Sequence, residues 1–200
     1  MADAGTNPDM DAEKIARDTA LLAGRAVLGG SIAAHGAQKM FGAFGGPGPE
    51  KAGGFFASLG FKEGERYARM AAATELTSGM LIALGALGPV GPAMLLSVMA
   101  VAVETVHRPK GYFNQDGGFE MNAMYAVAAL LLATHGPGAW SVDRLLGLDK
   151  RFNGIHGWLA LAGGLAASML ILGQRQEQRP DAQTSGATSG EIAREQTASV

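Results

Sequence analysis

Residues 107–120, HRPKGYFNQDGGFE, form a polar, glycine-punctuated stretch between two apolar runs that are long enough to cross a bilayer. A second polar cluster, residues 35–39, closes an earlier apolar run and leads into FGAFGGPG at residues 41–48. The apolar runs lack the regular charged face of an amphipathic helix in a soluble protein. They therefore predict membrane spans, with the polar clusters at the boundary between lipid and water.

The composition narrows the chemistry that the chain can perform. Hydrophobic residues make up 48% of the sequence and there is no cysteine. Without cysteine, the chain has no disulfides, no thiolate metal sites and no thiol redox chemistry. A formal net charge of −2 gives no support for a nucleic-acid partner. The N-terminus is acidic and polar for too long to be a secretory signal, so we expect the first span to direct insertion.

The apolar runs predict an all-α, polytopic membrane helix bundle with about five spans, the fifth of which is a C-terminal transmembrane helix. The predicted spans cover residues 16–39, 66–87, 93–106, 121–134 and 154–173. The predicted organisation is a polar flexible arm at 1–15, a four-helix membrane domain at 16–148, an additional transmembrane helix at 149–173 and a disordered polar tail at 174–200.

Two shorter segments are expected at the membrane surface. Glycine and proline after the first span forbid a continuous helix there, and residues 54–61, GFFASLGF, are predicted to lie in the interface. Residues 140–150 are amphipathic and predict a short surface helix, with Ser141 or Asp143 as its N-cap.

Span counting places the two polar clusters on one membrane face. Two predicted spans separate residues 35–48 from residues 107–120, so the chain returns to its starting side between them. Lys and Arg are more numerous near the span ends on this face, which favours the cytoplasm. Functional charges disturb that count, so the orientation stays open.

Arg25 and Glu75 lie inside predicted spans, where a charge needs a partner or a polar cavity. We expect them to form an intramembrane charge pair. Such a pair is either a buried packing bridge or part of a substrate or proton site. An open alternative has Glu75 reaching His35 or Lys39 instead.

Glu104, His107 and Arg108 are spaced i, i+3 and i+4, which puts them on one face of a regular helix. They are either an interfacial salt bridge with a snorkelling arginine or, for Glu104 and His107, a proton-handling pair. His35 and His107 could ligate a metal or haem, but no tight ligand spacing supports this and no metal site is predicted.

The loop between the third and fourth spans either shapes the bundle as a re-entrant segment or forms a pocket. Gly117 and Gly118 allow close backbone approach, and Asn114 favours a turn. Aromatic and amide groups at headgroup level suit a flat quinone or a lipid headgroup. The candidate pocket on this face comprises His35, Gln38, Lys39, Glu104, His107, Phe113, Asn114, Gly117, Gly118 and Glu120.

Three stretches together resemble the DoxX family of small integral membrane proteins: residues 24–48, residues 73–85 and residues 104–120. The resemblance covers roughly residues 21–148. The family pattern carries over to Arg25, His35, Gly36, Gln38, Lys39, Gly42, Glu75, His107, Phe113, Asn114, Gly117, Gly118 and Glu120. The fifth span and the polar tail depart from the family pattern.

The resemblance implies a four-helix bundle in the bacterial plasma membrane and a link to membrane-associated oxidoreductases. Because the sequence has no cysteine and no nucleotide-binding motif, we expect an accessory subunit that lacks the redox centre, with quinone as the possible cofactor. Expected partners are the lipid bilayer and other membrane proteins. The alternatives are a small-molecule or proton carrier and a membrane anchor or assembly factor.

Overall fold

The computed structural model describes residues 8–152 and 154–176, and within these ranges the regular elements are helices without strands. Seven α-helices follow one another along the described part of the chain: α1 Pro8–Phe41, α2 Gly48–Ser58, α3 Gly64–Leu84, α4 Val90–Ala102, α5 Glu120–His135, α6 Val142–Leu145 and α7 Gly154–Leu172. The predicted all-α class is confirmed.

Helix α1 begins earlier than the sequence pattern indicated. Residues 8–15, predicted to be part of a flexible arm, belong to this 34-residue helix. Pro8 is compatible with its first turn, and the following Ala, Glu and Lys residues are good helix formers. The helix is about 51 Å long, which exceeds the roughly 30 Å hydrocarbon core of a bilayer. Residues 1–7 and 177–200, which include most of the predicted tail, lie outside the described residues.

Glycine sets the packing of α1 against α3. A Cβ at Gly29 would collide with the backbone at Gly79, and a Cβ at Gly36 would collide with the backbone of Ala72 and Leu76. Small residues of this kind allow two helix backbones to approach closely. The same contacts fix the antiparallel offset of the two helices.

The interface segment predicted at residues 54–61 belongs to α2 and the turn after it, packed on α3. The ring of Phe56 lies 5.8 Å from that of Phe61, and the ring of Phe61 lies 4.8 Å from that of Tyr67. Phe61 is fully buried. These aromatic contacts attach α2 and its turn to the start of α3.

Helix α6 is shorter than the predicted surface helix at 140–150. Ser141 is its N-cap, because its Oγ accepts a hydrogen bond from the Arg144 N–H at 3.3 Å. Asp143 is buried instead, and its carboxylate accepts from the N–H groups of Leu87 and Gly88 at 2.8 and 2.6 Å. Asp143, the alternative N-cap in the prediction, therefore binds the backbone of the turn between α3 and α4.

Helix α7 packs against α4 and α5 through small residues. Gly164 lies against the backbone of Ala93, and Gly157 lies against that of Ala133. Beyond the helix, Arg175 Nε donates to Leu59 O at 2.5 Å and Gln176 N donates to Gly60 O at 2.9 Å. The end of the last helix is thus tied to the turn after α2.

Five helices, α1, α3, α4, α5 and α7, run between two ends of the bundle. The Lys39 end brings together Lys39, Tyr67, His107 and Ile171 around one cavity. The Arg25 end holds Arg25 beside Gly85 and Trp140. Two segments of the described chain are long and apolar enough to cross a membrane, Val90–Lys110 and Gly154–Leu172.

Candidate functional site

A cavity of about 360 Å³ opens at the Lys39 end. Its walls come from α1, α2, α3, α4 and α7. The lining is mostly apolar and aromatic and includes a few polar groups. The lining residues are Lys39, Phe55, Phe56, Leu59, Tyr67, Met70, Ala71, Thr74, Glu75, Ser97, Val98, Val101, Ala102, Thr105, Val106, His107 and Ile171. The hydroxyls of Thr74 and Thr105 donate to carbonyls of their own helices, one turn earlier. Lys39, Glu75 and His107 therefore supply its titratable groups together with Tyr67.

Lys39 and Glu75 form an ion pair inside this cavity. Lys39 Nζ donates to Glu75 Oε2 at 2.5 Å. The Glu75 side chain is 8% exposed and that of Lys39 is 29% exposed, so the carboxylate is buried while the ammonium reaches the cavity space. Two of the three ammonium donors remain for other acceptors.

The predicted Arg25–Glu75 pair is wrong, and the open alternative with Lys39 is the one that forms. Because Gly29 packs against Gly79, Arg25 is level with Gly85. Gly85 lies ten residues after Glu75, about 15 Å along a helix axis, which is beyond the reach of an arginine.

Arg25 instead binds backbone carbonyls at the opposite end. Its guanidinium donates to Ala83 O at 3.2 Å and to Trp140 O at 2.5 Å, with a longer bond of 3.4 Å to Ile82 O. The buried Asp143 supplies a nearby negative charge. Arg25 is 1% exposed, so its guanidinium is buried among these carbonyls and links α1 to α3 and to the segment before α6.

A π turn over Val103–His107 directs His107 into the cavity. Ala102 lines the cavity, and in a regular α-helix a residue five positions later is rotated by about 140°. The i→i+5 bonding of a π turn brings that residue nearly into line. His107 therefore lines the cavity, with Nδ1 2.7 Å from Gly117 O.

Glu104 pairs with Arg108, and not with His107. Both oxygens of the Glu104 carboxylate accept from Arg108 Nη1 at 2.8 Å, and both side chains are exposed. His107 Nδ1 faces Gly117 O at 2.7 Å instead, so the two side chains have separate partners, and the proton-handling interpretation stays a prediction. The salt-bridge interpretation holds.

Residues 111–120 form a compact loop beside His107. Phe119 N donates to Gly111 O at 3.2 Å, Glu120 N donates to Tyr112 O at 2.8 Å, and the Glu120 carboxylate accepts from Asn114 N at 2.9 Å. A Cβ at Gly118 would collide with Gly111 and Tyr112. The loop thereby fixes Gly117 O as the partner of His107.

Residues 20–108 match the model of the DoxX family. The chain contains a DoxX domain. The predicted resemblance is confirmed over this range, which includes Lys39, Glu75 and His107 but ends before the loop at 111–120. The protein is therefore a membrane protein, in contact with the lipid bilayer. No curated protein and no solved structure matches the chain.

The DoxX domain brings together only part of the predicted pocket. Lys39 and His107 line the cavity, as the shared-face argument predicts, and Glu75 joins them. His35 is exposed and faces Gln38 Oε1 at 3.1 Å through its Nδ1. The remaining predicted pocket residues lie outside the cavity lining: His35, Gln38, Glu104, Phe113, Asn114, Gly117, Gly118 and Glu120.

The sequence pattern did not predict the aromatic wall beside the Lys39–Glu75 ion pair. Phe55, Phe56 and Tyr67 line the cavity, and Ile171 reaches it from α7. Phe55 and Phe56 could have been predicted, because they are adjacent aromatic residues in the segment that was expected at the membrane interface. Nothing in the spacing of Ile171 indicates that it meets the first three helices.

Proposed function

We propose that this chain is a multi-pass protein of the plasma membrane, with α1, α3, α4 and α5 as the four-helix core and α7 as a fifth crossing helix. These helices run in alternating directions between the Arg25 end and the Lys39 end. Only 17% of the apolar α7 segment is buried inside the protein, so most of it faces outward. Lipid is the environment that suits such a surface.

We propose further that the protein is a subunit of a membrane oxidoreductase complex that binds a quinone-like molecule in the Lys39 cavity. The observation that carries this proposal is the combination of aromatic walls and one buried ion pair. A volume of about 360 Å³ is within the range of small-molecule sites. Apolar walls suit a ring, and the free ammonium donors of Lys39 suit a ring carbonyl.

The redox centre of the proposed complex belongs to a partner. The sequence lacks cysteine, so it cannot hold a cysteine-ligated iron–sulfur cluster. This chain contributes the site in which the quinone is held and shielded from water. Purification in mild detergent should therefore recover an oxidoreductase component with the full-length chain.

Matched substitutions on α3 test whether the cavity holds the ring. Ala71 lines the cavity, whereas Ala73 is exposed and lies outside its lining. We expect Ala71→Phe to weaken binding of a short-chain quinone analogue by more than tenfold, because the ring fills the space. Ala73→Phe should change the dissociation constant by less than twofold. Binding that is equal in the two variants would place the quinone elsewhere.

A carrier function is the second candidate, because a cavity with titratable groups lies at each end of the bundle. The cavity at the Arg25 end measures about 440 Å³ and is lined by Asp18, Asp143 and Arg144 among others. Packed side chains, including Ile32, Ile82 and Leu95, form the core of the bundle. Flux of a small solute or of protons into liposomes, lost in Glu75→Gln, would favour a carrier over a subunit.

A further inference from the structure

The side chain of His107 has one ring nitrogen whose role the structure determines. Nδ1 lies 2.7 Å from Gly117 O. A carbonyl oxygen only accepts hydrogen bonds, so Nδ1 carries the proton. In the neutral ring, Nε2 is then an acceptor.

Two features of the structure leave the Nε2 acceptor of His107 for a ligand in the cavity. The π turn over Val103–His107 brings the imidazole onto the face that Ala102 and Thr105 present to the cavity. The loop holding Gly117 O is itself closed by the bond from Glu120 N to Tyr112 O. The ring orientation is thus set from outside the cavity, and its acceptor is not needed to hold the fold.

The polar groups of the cavity are chemically unequal. Lys39 offers donors, Glu75 is engaged by Lys39 at 2.5 Å, and the hydroxyl of Thr105 donates to its own helix. Nε2 of His107, in the neutral ring, is therefore a ring-nitrogen acceptor that a ligand hydroxyl can meet without breaking the Lys39–Glu75 ion pair.

We propose that His107 selects the reduced, hydroxyl-bearing form of the ring ligand by accepting a hydrogen bond from its hydroxyl at Nε2. This inference rests on the proposed quinone site and assigns its preference for a quinol over a quinone. Lys39 donates to an oxygen of the same ligand, which either form of the ring provides. The preference between forms therefore comes from the acceptor.

The test compares two short-chain aryl ethers, whose ether oxygen can accept from Lys39 but cannot donate, and which differ in one ring substituent. One carries a ring hydroxyl and the other carries fluorine at that position, which is similar in size but cannot donate. We expect the full-length protein in detergent to bind the hydroxyl compound about tenfold more tightly, the usual value of one hydrogen bond. In His107→Phe the two dissociation constants should become equal. His35→Phe, a change at the exposed histidine of α1, should keep the tenfold ratio.

Glu75 is the competing acceptor, so Glu75→Gln completes the design. We expect this variant to keep the hydroxyl-to-fluorine ratio even if both compounds bind more weakly. This result supports His107 even where His107→Phe fails to fold. A ratio lost in Glu75→Gln, or retained in folded His107→Phe, overturns the inference. Binding of both compounds with equal affinity to the unaltered protein overturns it while leaving the quinone site standing. Absence of any binding removes the proposed function itself.

Discussion

The two ends of the bundle bury charge in opposite ways. At the Arg25 end, the guanidinium is bound to backbone carbonyls of two segments, and Asp143 is bound to backbone N–H groups. At the Lys39 end, one ammonium meets one carboxylate beside an apolar cavity. Arg25 and Asp143 are almost fully buried, whereas the Lys39 ammonium keeps spare donors beside a cavity. The comparison favours a structural role for Arg25 and Asp143 and, under the proposed function, a binding role for Lys39.

The largest loss of stability is expected from Asp143→Ala. The change leaves the N–H groups of Leu87 and Gly88 without acceptors and removes the negative charge beside Arg25. Breaking a buried charged network in this way costs about 3 kcal/mol. Denaturant unfolding in micelles would measure it, with the exposed Asp116→Ala as the control. A loss below that of Glu75→Gln would reverse the assignment of the two ends.

Gly118→Ala should cost about 2 kcal/mol, because the added Cβ overlaps Gly111 and Tyr112. The loop must shift, and the contact of His107 with Gly117 O should weaken. The hydroxyl-to-fluorine binding ratio would report the second effect separately from stability. Gly54→Ala is the matched control, since a Cβ there meets nothing within 4 Å. A destabilised variant with an unchanged ratio would show that the loop does not orient His107.

Glu75→Gln should lower the unfolding free energy by only about 1 kcal/mol, because Lys39 is partly exposed and can regain water. Its effect should appear in ligand binding, since Lys39 is no longer held in place. Glu104→Gln at an exposed ion pair is the control, and it should lower the unfolding free energy by about 0.5 kcal/mol or less. Unfolding and ligand titrations on both variants would establish whether the Lys39 end is a binding end.

The smallest effect is a pH dependence at the Arg25 end. A hydrogen bond from the Arg144 side chain lowers the pKa of Asp149 below its ordinary value. The stabilisation is therefore present above the ordinary aspartate pKa and is lost as the pH falls through the lowered one. Melting temperature measured from pH 5 to pH 2 should fall slightly more steeply in the unaltered protein than in Asp149→Asn. Parallel curves would contradict the contribution of this pair.

Several features of the fold follow from local sequence. Apolar runs interrupted by glycine and proline predicted the helices with boundaries that differ mainly at α1 and α6. Counting the runs between residues 39 and 107 was enough to place Lys39 and His107 at one end, and both line one cavity.

The partners of the buried charges depend on the offset between helices and could not be predicted from the runs. Arg25 and Lys39 lie on one helix, and either could meet Glu75 until the depth of α3 is known. Contacts at Gly29, Gly36 and Gly79 decide that depth. The π turn at His107 was equally hidden, since one extra residue in a helical turn leaves no mark on hydropathy.

The attachment of α7 has a consequence for biosynthesis. Ile171 completes the cavity wall, and Arg175 and Gln176 tie that wall to the turn at Leu59 and Gly60. Ion pair, histidine and aromatic rings are all translated before this wall exists. A nascent chain thus carries a cleft that lacks the α7 wall, and the complete wall arises only when nearly the whole described chain has been translated. Under the proposed function, loading of the ligand is therefore one of the last events in the maturation of the protein.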